Sequence, residues 1–178
     1  MKSITFTFLF VCLGIVSFAQ KANVPVNEDT GLITWQGVQE QNGTPLPLYN
    51  RCIEWINSQY KNSQEVTKVR KPEDGLIVIN HGIRLYDTLT DGSVVASNTI
   101  VNYVLRLEFK ENRYRYTFTD FTMKAMSRYP LERWLDEKDA TWSPKWNGYL
   151  IQIDKEVNRL IESLKEGMKE KIVKPDIW

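Results

Sequence analysis

Apolar and polar residues alternate through LRLEFKENRYRYTFTDF, Leu105 to Phe121, and the alternation pauses at Glu111–Asn112. A two-residue hairpin loop at that pause sets Phe109 opposite Tyr114, Leu107 opposite Tyr116 and Leu105 opposite Phe118, one continuous apolar face. The other parity sets Glu108 opposite Arg115 and Arg106 opposite Thr117, a solvated face on which unlike charges meet. Period two also governs GLIVINHGIRLYD, where Ile77, Ile79, His81, Ile83 and Leu85 share a side. EVTKVRK before it (Glu65 to Lys71) and LITWQGVQ after the NEDTG turn read as further strands. The period becomes helical at Leu48, Tyr49, Cys52, Ile53, Trp55, Ile56 and Tyr60, behind a start at Thr44, Pro45 and Pro47. It is helical again from Trp146 to Met168, where Leu150, Ile153, Val157, Leu160, Ile161 and Leu164 oppose Lys155, Glu156, Arg159, Glu162 and Glu166, with Gly167 as a stop. These elements predict a two-layer α+β fold in the order β-α-β-β-β-β-α. An antiparallel five-stranded sheet is covered on one face by helices.

The first 20 residues have the three parts of a secretory signal peptide: Lys2, an apolar run from Phe6 to Val16, and small residues at Ser17 and Ala19. The run is too short for a membrane-spanning helix, and no second run of membrane length follows. The expectation is a chain exported across the inner membrane to the periplasm or cell envelope, with one domain over residues 21–178 and its core within about 24–168. Losing Lys2 with the leader turns 23 basic against 22 acidic residues into a balanced count. Bulk charge therefore recruits neither nucleic acid nor anionic lipid. Cys12 leaves too, so Cys52 has no disulfide partner and packing alone must hold the fold.

The segments VPVNEDTGLITWQGV, LYNRCIEWI and KENRYRYTFTDF, with the long closing helix, resemble in order and spacing a family of small secreted bacterial proteins. That family shares a domain of unknown function with a TATA-box-binding-protein-like fold. The resemblance runs from Val24 to Met168 and implies the strand and helix order given above; it implies no catalytic residue. Kinship of fold with a DNA-binding protein carries no function with it.

Candidate chemistry is sparse. Glycine loops for phosphate, GxSxG, CxxC and HExxH are all missing from the sequence, and no catalytic residue, metal site or cofactor is expected. His81 is the only histidine; on a regular strand it faces the apolar side, as a hydrogen-bonded structural residue or, with a bulge at Gly82, as an outward-turned ligand contact. Cys52 has the spacing of a core residue. Asp136, Glu137 and Asp139 lack the glycine and spacing of a calcium loop.

Trp134, Trp142 and Trp146 crowd the link between the last strand and the closing helix. They serve either as a lid over an apolar ligand pocket between sheet and helix or as a cap on the core. The first expectation is a non-catalytic binder of a small apolar molecule at Trp134, Trp142, Trp146 and His81. The alternative is a protein-interaction module of the envelope that uses the sheet face bearing Arg106, Glu108, Arg113 and Arg115, or a sheet edge. On the hairpin, tyrosines and arginines point in opposite directions. A nucleic-acid-reading sheet instead needs rings and cations on one surface.

Overall fold

The hairpin organises the sheet. In the computed structural model, which describes residues 22–124 and 129–170, β4 (Val94–Lys110) and β5 (Arg113–Met123) pair antiparallel across the Glu111–Asn112 loop. Asn112 takes the left-handed conformation the tight turn requires (φ 57°). Phe109–Tyr114, Leu107–Tyr116, Leu105–Phe118 and Glu108–Arg115 are opposed as the alternation requires. β1 (Trp35–Glu40) adds to the outer side of β5, while β3 (Leu76–Thr88) and then β2 (Thr67–Lys71) add beyond β4. The order of the main strands is β1-β5-β4-β3-β2, all antiparallel, and a two-residue β6 (Tyr129–Pro130) pairs with the end of β5. The expected leader and the tail beyond Glu170, Trp178 included, lie outside the described residues.

Helix α1 (Pro45–Gln59) and the long α3 (Lys145–Gly167) cover one face of this sheet; the single turn α2 (Ser63–Val66) only leads into β2. Each covering helix buries the stripe its spacing defines: Leu48, Tyr49, Cys52, Trp55 and Ile56 from α1, and Leu150, Ile153, Val157, Leu160, Ile161 and Leu164 from α3. Against them the sheet places Ile77, Ile79, Leu85, Leu105, Leu107 and Phe118, none of them accessible to solvent. Burial of each such side chain is worth about 1.5–3 kcal/mol, which makes this layer the source of stability where the described residues form no disulfide. Polar contacts inside the layer set its alignment. The Trp55 indole donates to Ser163 Oγ at 3.1 Å, and the Tyr60 and Tyr103 hydroxyls meet at 3.0 Å.

Two irregularities are not foretold by a period of two. Asn102 opposes Thr122 and Val104 opposes Thr119, so β5 carries one extra residue there, and Asp120 absorbs it at φ 55°. The slip brings Phe121 onto the same buried face as Phe118 although their numbers differ in parity. Tyr103 packs between them, at 5.5 and 6.0 Å. Between Arg84–Ile100 and Tyr86–Ala96 the extra residues belong to β4. They turn Ser97 inward, to bond Tyr149 Oη at 2.9 Å and to accept the Thr99 N–H.

Two glycines fix close approaches. Gly75 turns β2 into β3 at φ 58°, and a Cβ there would lie 2.6 Å from the Phe109 carbonyl oxygen. Gly167 ends α3 against Trp55, where a Cβ would lie 2.6 Å from Cδ1 and 3.0 Å from the indole's own Cβ. Overpacking costs about 1–3 kcal/mol, more than the ~1 kcal/mol that alanine gains over glycine in a helix. Gly75→Ala and Gly167→Ala are each expected to lower the urea midpoint with the slope unchanged. An unchanged midpoint for Gly167→Ala would show that α1 and α3 do not meet this closely.

Candidate functional site

Among the described residues no helix covers the second face of the sheet. The strand registers place Gln36, Val38 and Glu40 of β1, Arg113 and Arg115 of β5, Arg106, Glu108 and Lys110 of β4, Arg84 of β3 and Lys71 of β2 on it. Cations exceed anions on this side of a chain whose total charge is close to balanced. Glu108 is shared: Arg115 donates Nε at 2.8 Å and approaches with its second nitrogen at 2.7 Å, while Arg106 lies 3.4 Å away. Partial burial raises the Glu108 pKa, but the two guanidinium groups outweigh it and hold the carboxyl below its ordinary value. Arg106 and Arg115 remain 47% exposed, so their far sides are free for other anions. Lys110 and Arg113 flank a depression of about 190 Å³ with Val38 at its rim, itself 53% exposed, and neither cation has an ion pair among the described residues. Lys110 was legible as the register partner of Arg113. Val38 was not, because no local pattern places β1 beside β5.

The three tryptophans come together. Leu131–Leu135 forms a short 3-10 helix that drives Trp134 into the core, 2% exposed. Trp146, from the first turn of α3, stacks on it at 5.4 Å and 16°, and Tyr149 tilts against it at 5.8 Å. Trp142 donates its indole N–H to the Trp134 carbonyl at 3.1 Å. The Trp134 indole N–H is buried with no hydrogen-bond partner among the described residues. Asp139 ties the intervening loop: the Thr141 hydroxyl, the Thr141 N–H and Arg133 all donate to it and hold its pKa down at about 2. Beside this wedge lies an open cleft of about 260 Å³ lined by Ala22, Trp134, Leu135, Trp142, Asn147 and Leu150, among others. It sits at the N-terminal end of α3, whereas the layer beneath the helix is filled by the buried side chains described above.

His81 is not part of the tryptophan group. Its ring packs edge-on to Tyr60 at 5.0 Å and Tyr103 at 6.3 Å, on the helix side of β3 as its parity requires, yet it stays exposed. The reason is the length of β2, whose last pairing on β3 is at Ile79, so that His81 stands where β3 has become an edge. Burial against the tyrosines lowers its pKa, opposed by a hydrogen bond with Gly82 and by the Glu156 carboxylate. Cys52 is fully buried and its thiol pKa is strongly raised by that burial, which disfavours the thiolate a nucleophile needs. Among the described residues no three His, Cys, Asp or Glu side chains form a group able to hold a metal.

Residues 36–124, from β1 through β5, match the domain of unknown function DUF4468, described as having a TBP-like fold. The chain belongs to the DUF4468 family. Among solved structures it is similar to a TBP-like protein from Parabacteroides distasonis, with TM-score 0.64 and 16% identity over 82% of this chain and 96% of that one. It is also similar to a DUF4468 family protein from Bacteroides ovatus, with TM-score 0.65 and 12% identity over 85% and 94%. No curated protein matches it. At these identities the likeness to solved structures is one of fold. The family match ends at residue 124, so the tryptophan wedge and α3 of this DUF4468 domain lie outside it.

The wedge separates stability from accessibility. Removing a buried aromatic costs about 3–5 kcal/mol, so Trp134→Ala is expected to unfold the domain or lower its melting temperature sharply. Trp142→Ala, at a half-buried position, should cost about 1 kcal/mol, the size of one hydrogen bond. Equal losses in calorimetry would mean that the stacked order described here is wrong.

Proposed function

We propose that this DUF4468 domain is an exported, non-catalytic binding module of the periplasm or cell envelope that engages a protein partner through the uncovered sheet face. The observation that carries the reading is the excess of exposed cations there, with Glu108 held between Arg106 and Arg115, and Lys110 and Arg113 beside the exposed Val38 without an ion pair among the described residues. Isolated surface ion pairs are worth only about 0–1 kcal/mol to the fold, so stability alone does not call for this array. Complementary charge gives a partner its orientation and rate of encounter. The partner's matching surface is acidic. With a photo-crosslinking residue at Val38, cells should yield one discrete adduct. Arg113→Glu with Arg115→Glu should reduce it at least tenfold without lowering the melting temperature. An adduct indifferent to charge reversal, or none, would remove the sheet face from consideration.

A second reading rests on the cleft of about 260 Å³ beside Trp134 and Trp142, which has room for a small, largely apolar molecule. Native mass spectrometry of protein purified from its own envelope tests it. A small mass lost on denaturation and reduced by Trp142→Ala supports the cleft; a clean polypeptide mass speaks against it.

A further inference from the structure

Among the described residues the second half of β3 is an unpaired edge. β2 pairs with β3 only from Leu76 to Ile79, whereas β4 continues alongside it to Thr88. Lys124 N–H donates to the Ile100 carbonyl at 2.8 Å, so Ile100 is bonded towards the β5 side, and Arg84, directly opposite on β3, turns its own N–H and C=O away from the sheet. The same alternation turns the groups of Gly82 outward. At Tyr86 the edge is occupied: the Gln152 carboxamide of α3 accepts the Tyr86 N–H and donates to the Tyr86 carbonyl, both at 2.9 Å. A side-chain amide thus makes the two bonds that the backbone of a neighbouring strand would make.

Between this edge and α3 runs a groove of about 500 Å³. It is lined by Gly82, Ile83, Arg84 and Tyr86 and by a single helical stripe, Gln152, Lys155, Glu156 and Arg159. Glu156 is neutralised by Arg159, with contacts of 2.7 and 2.9 Å. Arg84 and Lys155 are exposed and have no ion pair among the described residues. We propose that this groove binds an extended acidic peptide segment, which adds to the β3 edge as a further strand at Gly82 and Arg84 and sets carboxylates against Arg84 and Lys155. At about 3.3 Å per residue, the stretch from Asn80 to Tyr86 takes roughly five to seven residues. Pairing with a second copy of the chain would bring the same unpaired cations face to face, and the charge disfavours it. The groove meets the cationic sheet face at Arg84, which belongs to both, but it lies away from Arg113 and Arg115 and does not rest on the reading of that face.

The test uses the isotopically labelled chain from residue 21 onward, titrated with the heptapeptides TETETET and TKTKTKT and followed by nuclear magnetic resonance. The glutamate peptide should shift the Gly82, Ile83 and Arg84 amides saturably and slow their hydrogen exchange. Arg84→Glu with Lys155→Glu should weaken binding at least tenfold, and Arg113→Glu with Arg115→Glu should leave it unchanged. In Gln152→Ala the Tyr86 amide should join the protected set. Any of three results overturns the proposal: no saturable shift at millimolar peptide, equal binding of the lysine peptide, or shifts that map to Arg113 and Arg115.

Discussion

The packing of one sheet face against α3 is the constraint on which the rest depends. With no disulfide among the described residues, the domain must exclude water from Ile77, Ile79, Leu105, Leu107 and Phe118 by side-chain contact alone, and the stripe from Leu150 to Leu164 excludes it together with the shorter stripe of α1. That requirement sets the separation of the layers, so the remaining features are adjustments to it. Gly167 lets α3 come close to Trp55, the Asp120 bulge turns Phe121 inward, and the tryptophan wedge closes the end that α3 leaves open. Among the described residues the same asymmetry leaves the opposite face uncovered. A sheet covered on one side only has a second side to use.

Much of this was legible in the sequence because it follows from period. The hairpin register came from a two-residue loop and strict alternation, and both helices lie where the apolar spacing of 3.6 put them. What stayed hidden is what breaks period. Nothing local in RYTFTDFTM marks Asp120 as the residue that takes a positive φ, since aspartate tolerates that conformation without demanding it. His81 shows the same limit from another direction. Its parity was right, but its exposure depends on where the neighbouring strand stops, which is a property of β2 and not of the residues around His81.

The candidate surfaces divide along the same line. Arg106, Glu108, Arg113 and Arg115 could be assigned to one face from a single hairpin, because all four lie on strands joined by one short turn. Their enlargement by Val38 and Arg84 needed strands from elsewhere in the chain. The clustering of the tryptophans was visible as density in the sequence. Their order, with Trp134 inside and Trp142 bonded to its carbonyl, depends on the 3-10 turn, which has no hydrophobic period of its own.

Cys52 has a practical consequence. It is the only cysteine of the chain after residue 12, it has no accessible surface, and burial keeps its sulfur protonated. A thiol introduced at any exposed position within residues 22–170 would therefore react without competition from Cys52 and without forming a disulfide to it. Single probes, pairs of spin labels or a tether to a surface can be placed on the uncovered sheet face and along the edge of β3 without first replacing Cys52. The residue that contributes least to chemistry is the one that leaves the surface clear for measuring everything else.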